Sequence, residues 1–457
     1  MAATCAECDQ MKLRSTNIQK RKERARFGAT FLAVALICLV GLILITRELR
    51  KSIVDLPQSN LSAAGETTLL LGVIILGSWL SGRLIRRVGL PPITGQLLFG
   101  VLVGPSFWSW LHRPEMSLIN ASQLVSLQGP ESLAVVMIGL VAGAEIDWLF
   151  LRSKLRVITA LAAGQMILVF ITVGFVAFAF LDSIAQSVIV ATIAATSSSA
   201  VSVALLREMR HPTEFARLLL ATTVAKDLFL VTAFSVVLFV VAATTTTTAH
   251  QAWYWIALHL AGSIGVGIAL AFPLRWALTR IERRMTAVVL VTAIFLAILC
   301  STIGVAPLIT ALTLGFTARN IAPLATAPFF ATARRLFLAV CCVFFAAAGT
   351  HLNLAALAAN WTVVLAISAV RFAGIWTGVT IAARATGLSP AATRWAWAGF
   401  IPQAGISLAL AAQIAIEFPN QTWASSLTTI VIACITLNEL IGPILMRIAL
   451  GKVPSHK

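Results

Sequence analysis

Asp227 and Lys226 are adjacent charged residues in the middle of an apolar stretch that runs from about 215 to 242. A carboxylate is a hard oxygen ligand for a small cation and can carry a proton instead, so one buried aspartate holds either but not both. That competition is the physical basis of antiport. The bland alternative is that Asp227 only neutralises Lys226 or Arg371. Arg371 is the other basic residue inside an apolar stretch, at 360–384; it is permanently charged and reads as a structural counter-charge, the natural partner of Asp227. Lys226 has two readings of equal weight, a proton donor that releases its proton when a cation arrives at Asp227, or a structural ammonium. Glu439 lies deep in 423–448 just before Gly442 and Pro443, where hydrogen bonding to unwound backbone is favoured over ion binding. Glu145 and Asp147 close the stretch 130–150, as attractors of cations into an inner funnel or as solvated helix ends. His259 and His351 read as packing residues. The sequence holds no Gly-rich phosphate loop, no metal-ligand cluster and no nucleophile–base pair, so neither a metal nor a cofactor is expected and a membrane enzyme is the least favoured class.

These residues need elements to position them, and composition says which. The chain has 457 residues, 59% hydrophobic and 11% charged, with a mean hydropathy of +0.93. A soluble domain is nearer 45–50% apolar and about 25% charged, so this is a membrane protein. About 20 apolar helical residues cross a bilayer core. Fourteen such segments follow one another, near 28–46, 66–82, 90–110, 130–150, 157–181, 185–206, 215–242, 252–277, 285–303, 305–318, 334–350, 360–384, 393–416 and 423–448. The chain thus divides into a basic N-terminal tail at 1–27, an extra N-terminal helix at 28–46, a membrane domain at 66–450 and a short tail at 451–457. The extra helix follows a basic run but lacks a small-residue cleavage pattern, so it is expected to stay as an anchor.

The net charge of +17 sorts by side rather than forming a nucleic-acid surface. Of the 34 lysines and arginines, 28 fall in the N-terminal tail and in every second connection, and Arg47, Arg50, Lys51 and Arg113 are the four on the other side. Positive charge marks the cytoplasmic face, which predicts an even number of crossings with both termini inside. Lys226 and Arg371 are the two that this sorting leaves over, and an ionisable residue within a span is a functional-site hypothesis by default. The seven cysteines suggest no disulfide framework, and Cys5 and Cys8 form a lone C-x-x-C without a second pair.

Two stretches recur at nearly one offset. Ala142–Asp147 resembles 348–353, and Ala200–Leu205 resembles Gly405–Leu410. Five segments per unit make two units that cross in opposite senses, the inverted repeat of many secondary transporters. Each unit carries a break in the corresponding helix, at Thr196-Ser197-Ser198-Ser199 and at Pro402-Gln403-Ala404-Gly405. Hydroxyls and proline at membrane depth free backbone groups, which is tolerated where these line an enclosed cavity. Thr196 and Ser197 therefore join Asp227 and Lys226 as candidate ion-site residues, with Ser198, Ser199, Pro402, Gln403 and Gly405 forming the breaks.

In order and spacing, Gly95–Pro105, Ala142–Asp147, Ala195–Val201, Lys226-Asp227, Phe344–Gly349, Arg371 and Pro402–Gly405 resemble the membrane domain of the cation:proton antiporter superfamily, the sodium/proton exchanger fold. The resemblance implies thirteen family helices in a core and a dimerisation domain, an elevator-like movement of the core, and a homodimer. It implies that the two breaks cross beside Asp227 as the ion-binding aspartate and that Arg371 takes the place of a core basic residue. Similar proteins carry Asp or Asn just before the essential aspartate, whereas Lys226 stands there in this chain. The expected fold is an all-α polytopic membrane protein with inverted five-helix repeats and two crossing broken helices. The expected function is exchange of sodium or potassium for protons, one for one, in a bacterial inner membrane. Two other readings are a transporter of an anion or organic acid attracted by Lys226 and Arg371, and a transport-inactive sensor or subunit.

Overall fold

The computed structural model describes residue 41 and residues 60–113, 116–119, 121–209, 212–245, 252–280, 284–352, 354–418 and 421–453. The tail expected at 1–27 and, apart from Gly41, the helix expected at 28–46 lie outside the described residues. The described residues are all helical or connecting, and the chain is an integral multi-pass membrane protein. Eleven spans among the described residues are long and apolar enough to cross a bilayer.

In chain order the helices are α1 (Asn60–Arg87), α2 (Pro92–Val103), α3 (Pro105–Trp110), α4 (Ala121–Ala144), α5 (Trp148–Leu181), α6 (Ile184–Ala194), α7 (Ser199–Glu208), α8 (Glu214–Thr245) and α9 (Ala252–Arg280). They continue as α10 (Met285–Ile303), α11 (Pro307–Ile321), α12 (Pro323–His351), α13 (Leu354–Ala359), α14 (Trp361–Ala385), α15 (Pro390–Trp395), a 3₁₀ turn (Ala396–Phe400), α16 (Gly405–Glu417) and α17 (Thr422–Lys452). The apolar segments from 66 onward fall on these helices or on helices split by a break, except that the segment expected at 130–150 overruns α4, which ends at Ala144, and reaches into α5. The division between α10 and α11 sits at Gly304, whose φ of +71° ends α10 in a left-handed cap, and Pro307 opens α11 where its missing N–H costs nothing. The basic connection expected at 319–334 is shorter than the sequence pattern implied, because Pro323 begins a helix directly after Ala322 and Arg334 and Arg335 lie within α12. The segment 90–110 is cut at Gly104-Pro105 into α2 and α3. The tail expected at 451–457 begins inside α17, which runs to Lys452.

Without a hydrophobic drive between helices in lipid, close packing over small residues holds such bundles together. α5 packs on α14 where Gly164 and Gly378 face each other, and a methyl on either would run into the other's carbonyl oxygen. α2 packs on α12 through Gly100 against Ala346, while α11 packs on α4 through Gly315 against Leu140. This exchange of partners between the halves, first helix of one against second helix of the other, is compatible with two inverted units. The outer faces of α5, α9 and α10 expose Phe175, Trp276, Val291 and Ile298, the side chains a bilayer would cover.

Alternate connections meet at one end of the bundle. Glu145, just past α4, pairs with Arg207 of α7 at 2.7 Å and Arg334 of α12 at 3.6 Å, and Lys154 of α5 pairs with Glu214 of α8 at 2.5 Å.

Replacing Gly378 by Ala should lower stability by about 1–3 kcal/mol through overpacking, read as a fall in the thermal unfolding midpoint in detergent. Gly265→Ala is its control, since a methyl there meets nothing within 4 Å, and its midpoint should not fall.

Candidate functional site

The two breaks form because local chemistry stops each helix. After Ala194 the run Thr196-Ser197-Ser198 offers hydroxyls that compete with the helical ladder: Thr196 Oγ1 donates back to the Ile193 carbonyl at 2.7 Å, and Ser198 Oγ caps α7 by accepting from Val201 N at 3.1 Å. In the second unit Pro402 brings no N–H and ends the preceding turn, and α16 restarts at Gly405. Each break leaves carbonyls without helical donors, which is costly in lipid unless other groups reach them.

Arg371 of α14 is the group that reaches most of them. Its Nε donates to the Ala194 carbonyl at 2.7 Å, Nη2 to Thr196 at 2.9 Å and to Phe400 at 3.3 Å, and Nη1 to Ile401 at 3.0 Å. The forked, planar guanidinium is suited to this because its donors point in fixed, divergent directions. Arg371 makes no ion pair with Asp227 or with any other described carboxylate. Its positive charge faces the negative, carbonyl-bearing ends of α6 and of the turn Ala396–Phe400, so the expected pairing of Arg371 with Asp227 gives way to a pairing with backbone. The breaks are also stitched to each other. Ser198 N donates to the Pro402 carbonyl at 2.8 Å, Ser197 Oγ to the Phe400 carbonyl at 3.0 Å, and Gln403 Nε2 to Ile193 O at 3.0 Å and Thr196 Oγ1 at 2.8 Å.

Lys226 is fully buried and points into this crossing. Its Nζ donates to Ser197 Oγ at 2.6 Å and lies 5.1 Å from the centre of the Phe400 ring, a cation–π contact of the kind that gains weight when desolvated. Asp227, one residue on, is 3% exposed. It lies beside Ser199 at the start of α7, yet neither carboxyl oxygen accepts a hydrogen bond of acceptable geometry, and Lys226 is beyond ion-pair distance. The structure therefore brings Thr196, Ser197, Ser198, Lys226, Arg371, Pro402 and Gln403 into one bonded cluster and leaves Asp227 buried at its side. The hydroxyls of Thr196 and Ser197, expected as ion ligands, are already bonded within the protein.

A match to the family described as sodium/hydrogen exchanger, transmembrane, covers residues 67–447. The chain belongs to that family. Over 101 residues this exchanger-family protein is 32% identical to the "Probable Na(+)/H(+) antiporter GerT" and 29% identical to the "Na(+)/H(+)-K(+) antiporter GerN", both of Bacillus cereus. Each match covers 22% of this chain and 24% of the relative, so it spans about a quarter of the length of those curated proteins. Among solved structures, the map of the sodium proton antiporter MjNhaP1 of Methanocaldococcus jannaschii superposes with a TM-score of 0.68 at 16% identity, over 88% of this chain and 100% of that one. A second structure of MjNhaP1, at pH 8, gives 0.62 over 83% and 98%, also at 16% identity. At that identity the likeness is one of fold.

Three remaining expectations for this exchanger-family chain resolve differently. Asp147 caps the start of α5 by accepting from Leu149 N at 2.8 Å, so its carboxylate serves the helix rather than an inner funnel. Glu145 is held by Arg207 and Arg334. Gly405 opens α16 next to Phe344, whose Cζ would lie 3.2 Å from an added methyl. Sequence reasoning missed Ser407, whose hydroxyl meets Thr196 Oγ1 at 2.6 Å, Asn438, which donates to Gln403 Oε1 at 2.7 Å, and Gln165, which donates to Ala195 O at 3.1 Å. All three are polar residues inside apolar spans, and that signal was available.

Arg371→Lys should destabilise the protein by about 3 kcal/mol, because one ammonium cannot serve four divergent carbonyls and buried acceptors lose charged donors. Ser197→Ala should cost about 1–3 kcal/mol by leaving Lys226 without its acceptor. Thermal unfolding of both variants in detergent checks the order.

Proposed function

We propose that this protein is a secondary transporter that exchanges a monovalent cation, sodium or potassium, for protons by alternating access, with Asp227 as the shared site. One observation carries the reading: at the helix crossing Asp227 is the ionisable side chain whose polar atoms lack a partner, while Lys226 is taken up by Ser197 and Phe400 and Arg371 by four carbonyls. A buried, unpartnered carboxylate costs several kcal/mol, so Asp227 must hold a proton or a cation, and exchanging one for the other is antiport. The printed activities of GerT, GerN and MjNhaP1 support the same choice. The anion reading loses its support, because both basic side chains that would attract an anion already have partners. The meeting of Glu145, Arg207 and Arg334 at one end of the bundle supports placing the arginine-rich end, and with it both termini, in the cytoplasm. A homodimer in a bacterial inner membrane completes the reading.

In proteoliposomes with an imposed pH gradient, addition of sodium or potassium should collapse the gradient for the wild type, and Asp227→Asn should reduce the rate to that of empty vesicles. Normal transport by Asp227→Asn, or no response to any monovalent cation, overturns the proposal. Because proton and cation compete for one carboxyl, the half-saturating cation concentration should rise about tenfold for each unit of acidification on the acid limb.

A further inference from the structure

Apart from Asp227, Glu439 of α17 is the one fully buried carboxyl among the described residues with no partner: it is 1% exposed and neither carboxyl oxygen accepts a hydrogen bond. The sequence pattern favoured bonding of Glu439 to unwound backbone, and no such bond exists. Its surroundings are short of donors for a definite reason. Pro443, four residues on, has no N–H to give the main-chain carbonyl of Glu439, and the Oδ1 of the adjacent Asn438 is also buried without a donor. One turn of α17 thus carries three side-chain oxygens, Asn438 Oδ1 and the two of Glu439, that accept no hydrogen bond from any described residue. That turn is fixed in place, because Asn438 Nδ2 donates to Gln403 Oε1 at 2.7 Å and Gly442 packs so closely on Pro402 that a side chain there would collide with it.

The ionisable groups nearest the turn are themselves partly exposed. Glu131 of α4 is the charged neighbour of Glu439. Its own side chain is 28% exposed and stands 3.4 Å from His351 Nε2, which is 39% exposed. Glu131 precedes Glu145 by about 20 Å of helix and His351 follows Arg334 by about 25 Å, so this pair lies toward the end of the bundle opposite the Glu145 cluster. On its apolar side the turn is closed by Leu440 against Leu97, Val101 and Leu352.

A carboxylate in such a place is too costly to stand bare. We propose that Glu439 is a second exchanging carboxyl, holding a proton or a monovalent cation and reached from the end of the bundle that bears Glu131 and His351. When the cation arrives, the Glu439 O–H bond breaks, the proton leaves past Glu131 to solvent water, and the freed carboxylate oxygens coordinate the cation, so charge is conserved. The inference takes the identity of the ions from the antiport reading. It adds a group to the single carboxylate expected from the sequence, and it does not require Asp227 to be a site.

The test uses the reconstituted full-length wild type, so no variant has to fold. A membrane-soluble carbodiimide modifies protonated buried carboxyls, and peptide mass spectrometry locates the label at Glu439 and at Asp227 separately. Labelling is followed in choline chloride and in sodium, potassium or lithium chloride at constant pH. At a cation concentration ten times its dissociation constant, labelling of Glu439 should slow about tenfold, as the unliganded fraction does. Protection at both carboxyls, or at Glu439 alone, supports the inference, and in the second case the Asp227 reading falls. Protection at Asp227 alone, no protection at either, or no labelling of Glu439 in choline overturns it, and the first of these leaves the antiport reading intact.

Discussion

The guanidinium of Arg371 makes the crossing of two broken helices possible in an apolar surround. A helix that stops at membrane depth exposes carbonyls that water cannot reach, and two helices stopping at the same depth double the problem. Ala194, Thr196, Phe400 and Ile401 all direct carbonyl oxygens to one side chain from a third helix. A fully buried arginine is expensive by itself, and so are the orphan carbonyls. Brought together they cancel, which is why neither break can be understood without α14.

The remaining features of the crossing depend on that arrangement. Once Arg371 has fixed the carbonyl ends, Ser198 N, Ser197 Oγ and Gln403 Nε2 fall within reach of Pro402, Phe400 and Ile193, and the breaks lock into each other. Ser197 then presents its oxygen to Lys226. The two positive side chains closest to the crossing are both used structurally, one by backbone dipoles and one by a hydroxyl and a ring. Neither is left to neutralise Asp227. An acid adjacent in sequence to a lysine would ordinarily be read as one half of an ion pair, but successive residues on a helix point about 100° apart, and here they serve different neighbours.

That geometry marks the boundary between what the residue pattern reveals and what only the folded chain does. The spans were legible because a bilayer imposes a length on apolar helices, and the glycine and proline between 285–303 and 305–318 fall where the chain breaks, at a left-handed cap and at the first turn of α11. Both breaks were legible too, since a hydroxyl run and a Pro-Gln-Ala-Gly stretch are unusual at that depth. The target of Arg371 was not. Sequence shows that a charge lies inside an apolar span, and the nearest formal opposite charge is then the natural guess, because backbone carbonyls freed by a distant break leave no mark on the pattern. Asp147 was ambiguous for a related reason: an acid at a helix start can cap it or face solvent, and only the 2.8 Å contact with Leu149 N decides. Ser407 and Asn438 were polar residues in apolar spans, overlooked because uncharged side chains are cheap enough to bury for many structural reasons.

The two halves of the crossing also differ in a way that bears on charge. After the first break, α8 places Lys226 on Ser197 with Asp227 beside it; after the second, α17 places Asn438 on Gln403 with Glu439 beside it. In each half a nitrogen donor anchors the following helix to the break, and an acid without a partner is the next residue. The donor is a cation in one half and a neutral amide in the other. Asp227 therefore has an ammonium on its own helix turn that attracts it without pairing with it, and Glu439 has none on its own. Ionising Glu439 without a cation to replace the proton is accordingly the costlier of the two events, so the two acids, alike in burial and in lack of donors, are not electrostatic equivalents. The residue at the anchoring position, lysine or asparagine, sets that difference without changing the way either helix is tied to its break.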